Sequence, residues 1–131
     1  MGSGALALDG VAVRRGALGV LMFVAPAYAI ARAGSSDDDR SGWWMLMVAA
    51  LLFGSMFGGF AAARDRPPTP IAHAAAATAI GLGIVFGVAL LVQAIRGDLT
   101  LAAALTALVI VQVGIGFGCL GGQLAMKWTR L

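Results

Sequence analysis

Glutamate is absent from this 131-residue chain, and lysine, histidine and cysteine occur once each. Each shortage removes a class of mechanism. The six acids are all Asp (Asp9, Asp37, Asp38, Asp39, Asp65 and Asp98) and none falls inside an apolar run, so an intramembrane carboxylate relay lacks its groups. One Cys cannot close a disulfide within the chain, and His73 with Cys119 supplies too few ligands for a zinc or iron site. The same pair is the only conceivable nucleophile and base. It lacks a third group to orient it, so no enzyme, metal or cofactor is expected. Charged residues are scarce at 11%, against 60% hydrophobic residues, and the mean hydropathy is +0.93. That balance is too apolar for a water-soluble domain and predicts an integral membrane protein.

What remains is four long apolar runs. A hydrocarbon core about 30 Å thick takes roughly 20 helical residues, and apolar stretches of about that length, charged only at Arg32, cover 16–33, 43–63, 71–95 and 99–126. The connections Gly34–Gly42, Arg64–Pro70 and Arg96–Asp98 are short and rich in Gly, Pro, Ser and Asp. None of the runs shows the period-two alternation of a barrel strand. The predicted fold is therefore all-α: one domain over 1–131, an integral membrane bundle of four transmembrane helices.

Basic residues set the expected orientation. Arg14, Arg15, Arg64, Arg66, Lys127 and Arg130 fall on the side of the termini, whereas Arg32, Arg40 and Arg96 fall on the other. The excess predicts both termini in the cytoplasm, with a basic collar near anionic headgroups of a plasma membrane. Trp43, Trp44 and Trp128 are placed as interface anchors. The first run also fits a secretory signal peptide, with Arg14-Arg15 before it and Ala27-Tyr28-Ala29 or Ala29-Ile30-Ala31 as cleavage sites. Cleavage at about residue 31 would leave three spans.

Shifting the chain by 63 residues superposes Phe57-Gly58-Gly59-Phe60 through Arg64 on Leu120-Gly121-Gly122-Gln123 through Lys127. Two repeated helical hairpins, related by an axis along the membrane normal, would produce that match. Small residues also recur four apart. Gly54, Gly58, Gly59, Gly83, Gly87, Gly114, Gly118 and Gly122 are the candidate helix-packing positions, because close backbone approach is what joins helices in lipid. Most of these faces should pack within the bundle, leaving one, on the fourth span, for a partner or a second copy.

Three polar residues form a candidate intramembrane site. Gln112 lies near the middle of the fourth span and is expected to find a hydrogen-bond partner inside the bundle. Gln93 sits near the end of the third span, and His73 begins that span as an interfacial residue. Asp37-Asp38-Asp39 is read as a solvated loop, with weak divalent-cation attraction as the other option.

Gly58-Gly59-Phe60-Ala61-Ala62-Ala63-Arg64, followed by a short loop and His73, resembles a group of uncharacterised small four-span bacterial membrane proteins. Their second helix ends in the same Gly-Gly-x-Ala-Ala-x-Arg pattern. That resemblance implies a fold and a membrane setting but no activity. Short loops and surplus small-residue faces point to an accessory or scaffold subunit that packs against other membrane helices. A small homo-oligomeric channel or transporter, lined by Gln112, Thr106 and Gln93, is the alternative. The bilayer itself and either a membrane-protein partner or further copies of the chain are the expected partners; nucleic acid is not among them, since the base-rich composition is accounted for by the membrane collar.

Overall fold

Apolar runs with no aqueous hydrogen-bond partner have to satisfy their backbone internally, and here they do so as helices. A computed structural model describes residues 8–34, 41–65 and 69–128. It contains α1 (Gly10–Gly34), α2 (Ser41–Ala63), α3 (Pro70–Arg96) and α4 (Leu101–Trp128). All four are long and apolar enough to cross a membrane, which makes the chain a multi-pass, all-helical membrane protein. The loop acids Asp37, Asp38 and Asp39, together with Arg40, Arg66 and Arg130, lie outside the described residues, as do the side chains of Trp43 and Trp44.

Local chemistry sets the helix ends. α1 begins at Gly10 rather than Gly16 because Asp9 caps it: the Val11 N–H donates to Asp9 Oδ1 at 2.9 Å and the Val13 N–H to the Asp9 carbonyl at 3.0 Å. Arg14 and Arg15 bound the apolar run but not the helix, since both lie on its exposed flank. α3 opens on Pro70, where a missing N–H costs no helical bond. It closes at Gly97, whose φ of 76° is the left-handed cap that favours glycine; the Asp98 N–H reaches back to the Gln93 carbonyl at 2.9 Å. Thr100 starts α4 by accepting from the Ala103 N–H at 3.1 Å.

α1 and α4 each pack against both α2 and α3, and α2 packs against α3 across the centre, while α1 and α4 barely meet. A two-fold axis along the membrane normal would make the α1–α4 and α2–α3 contacts equivalent. The hairpins instead stand side by side in the same sense, which corrects the axis expected from the 63-residue match. α4 is the most open to its surroundings, with 17% of its most apolar window buried against 39% for α1 and α2.

Packing changes character along the membrane normal. At the end that holds the start of α1 and the close of α4, hereafter the terminal end, backbones touch. A Cβ added to Gly16 would lie 2.6 Å from both the Ala77 Cβ and the Gly58 carbonyl oxygen, and one on Gly122 would lie 2.8 Å from the Ala74 Cβ. On Gly59 it would run into the Gly118 carbonyl, and on Gly121 into that of Met56. Toward the opposite end the core is built from larger side chains, including Val24, Met47, Leu51, Leu82 and Val85, with Tyr28 and Phe86 against them. The Tyr28 and Phe86 rings meet edge-on, centroids 6.3 Å apart.

Candidate functional site: a groove between α1 and α3

α1 and α3 run parallel and are in backbone contact only over their first half, where a Cβ on Gly81 would fall 2.7 Å from the Val20 Cβ. From Leu21 and Ile84 onward the two helices enclose an open-sided groove of about 620 Å³. Its walls are apolar, from Leu21, Ala25 and Ala29 on one side and Ile84, Val88 and Val92 on the other. Its far end is polar. Tyr28, Arg32, Gln93, Arg96 and Asp98 gather there because Tyr28 and Arg32 share a helix face at i, i+4, as Gln93 and Arg96 do at i, i+3.

Tyr28 and Gln93 are half-buried, whereas Arg32, Arg96 and Asp98 are exposed. Among the described residues the Tyr28 hydroxyl, the Gln93 amide and the Arg96 guanidinium have no hydrogen-bond partner, while Arg32 is engaged within the chain. The arrangement therefore presents hydrogen-bond donors at one end of an apolar trough. Across the Tyr28–Phe86 pair lies a smaller cavity of about 240 Å³, lined only by apolar surface that includes Met47, Leu51 and Ile110.

The residues singled out in the sequence divide into those the fold brings together and those it turns away. Gly54, Gly58, Gly59, Gly114, Gly118 and Gly122 are all at buried helix contacts. Gly83 and Gly87 are not: both are exposed, and a Cβ on either would meet nothing within 4 Å. The surplus small-residue face on the fourth span is also different from the one anticipated. Gly114, Gly118 and Gly122 are the buried seam of α4, and Gly116, with open space around it, is the outward one.

Gln112 is exposed on the outward side of α4. Two residues along a helix turn by about 200°, so with Gly114 facing the bundle, Gln112 faces away from it. The partner expected for it inside the bundle is accordingly absent. Thr106 is likewise exposed, Gln93 lines the groove and His73 is buried at the terminal end, so the fold does not gather Gln112, Gln93 and His73 into one site.

His73, in the first turn of α3, is wholly buried within the bundle. Its Nε2 accepts the Asp9 backbone N–H at 2.7 Å, which leaves the ring hydrogen on Nδ1, where it donates to the Thr69 carbonyl at 2.7 Å. Both ring nitrogens are thus spent on backbone groups, and the imidazole ties the start of α1 to the start of α3. Nearby, Arg15 pairs with Asp65. Thr78 donates to the Ala74 carbonyl at 2.9 Å, whereas the buried Ser55 hydroxyl, facing Gly114, has no partner among the described residues. No group of three or more His, Cys, Asp or Glu among the described residues is arranged to hold a metal ion.

The groove was missed in the sequence, where the i, i+4 and i, i+3 pairing of polar residues at the ends of the first and third spans was the available signal. Comparison with protein-family models, curated proteins and solved structures finds no match to this chain, so none bears on the resemblance drawn from its sequence.

Proposed function

We propose that this protein is a small packing subunit of a larger membrane assembly, docked through the outward face of α4. The observation that carries the reading is Gln112, a primary amide midway along a membrane helix and turned toward lipid. An amide in hydrocarbon gains about 1 kcal/mol from an interhelical hydrogen bond. Gly116, one turn further on and with open space where a Cβ would lie, lets a partner helix approach closely. Leu105, Val109 and Gln123 are exposed at the same helical spacing and extend the seam. The reading assigns no catalysis to the chain. It sets the protein in the plasma membrane with both termini cytoplasmic, supported by the exposed bases Arg14, Arg15, Arg64 and Lys127 at the terminal end.

Purification of the tagged chain from its native membrane in mild detergent, followed by native mass determination, tests this. A stoichiometric membrane partner is expected, and Gln112→Leu should release it while leaving the chain folded. Recovery only as a homo-oligomer, with reconstituted flux that Gln112→Leu abolishes, would replace the packing reading with the channel one. Retention of the partner by Gln112→Leu would remove α4 as the docking face.

A further inference from the structure

We infer that the groove between α1 and α3 is a binding site for one glycerophospholipid of the adjoining leaflet, its phosphate held at Arg96 and its acyl chain laid along the trough. The inference is independent of how α4 is used.

Three features specify the ligand. The first is length: from Leu21 to Arg32 the groove wall rises about 16 Å at 1.5 Å per residue, roughly half of a 30 Å hydrocarbon core. It therefore starts near the mid-plane and ends at one surface, the depth of a single leaflet. The second is polarity. The trough is apolar over its length and polar only at the end that reaches the headgroup level.

The third is the kind of polar group. A base in the last turn of α1 and of α3 is accounted for by the negative end of each helix dipole. Tyr28 and Gln93, lying within the groove beneath them, are not. A phenol, an amide and a guanidinium, all without hydrogen-bond partners among the described residues, match the acceptor-rich part of a phospholipid, where the phosphate and ester carbonyl oxygens lie. Asp98 marks the rim, where a headgroup hydroxyl or amine would lie.

The intact protein, purified and stripped of lipid in detergent, should take up one phosphatidylglycerol per chain, read by native mass spectrometry, with a saturable rise in melting temperature. Arg96→Gln should weaken retention by about tenfold, the scale of one lost charge-assisted hydrogen bond. Ala29→Trp, which fills the trough from an exposed position and so leaves the core intact, should abolish it. An equal rise in melting temperature with inorganic phosphate alone would make the site one for a soluble anion and overturn the inference. So would unchanged lipid retention in both variants, which would mean non-specific annular lipid, or no saturable uptake by the wild type.

Discussion

The two ends of this bundle solve the same problem with opposite materials. At the terminal end Gly16, Gly58, Gly59, Gly118 and Gly121 remove the side chain altogether, so helices meet backbone to backbone. Toward the far end Tyr28, Leu51, Leu82 and Phe86 hold the helices apart by volume, and space is left over on either side of the aromatic pair. In lipid, apolar side chains gain little by leaving one hydrocarbon environment for another. Close contact must therefore supply the cohesion, and it is concentrated where glycine permits it. The open end is free to accept a ligand because it is not what holds the bundle together.

Substitutions can break that comparison or sharpen it. Gly59→Ala should have the largest effect, because the added methyl meets the Gly118 backbone rather than a movable side chain; a loss of about 3 kcal/mol is expected, read by reversible unfolding in mixed micelles. His73→Ala comes next. It strands the Asp9 N–H at the tight end and leaves the Thr69 carbonyl with only the backbone N–H of residue 73, and should cost about 2 kcal/mol in the same assay. Arg15→Ala removes an exposed ion pair with Asp65 and should change stability by less than about 1 kcal/mol, an effect that fades with added salt. Gly87→Ala, in open space, should be the mildest and is expected to raise stability slightly through helix propensity. A loss for Gly87→Ala as large as that for Gly59→Ala would erase the distinction between packed and free glycines.

The number of helices and their turns could be read from the sequence because hydropathy and turn chemistry mark them directly: Pro70 opens α3, Gly97 closes it and Thr100 starts α4. The start of α1 could not, since Arg14 and Arg15 end the apolar run while Asp9 continues the helix. Which face of a helix is buried was the harder matter. In a soluble helix the polar side marks the outside, but here both sides are apolar, so Gly83 and Gly118 look alike until neighbours are placed around them. Gln112 reversed the usual expectation for an intramembrane amide because the inner side of α4 is already filled by the Leu82, Ser55 and Thr78 side chains against Gly114 and Gly118. The groove joins residues of α1 and α3: the polar pairing at the end of each helix is a local pattern, but that the two ends meet is not.

The hydrogen bond between Asp9 and His73 joins positions 64 residues apart. During synthesis, residue 73 is made only after the first hairpin, 10–63, is complete. The Asp9 N–H at the entry of α1 therefore gains its imidazole partner only when α3 begins to arrive, although Gly16 already packs against Gly58 within the first hairpin. The chain's single imidazole thus works as a clasp that registers the arrival of the second hairpin. It gives assembly an order, with the ends of the two hairpins joined only when both are present.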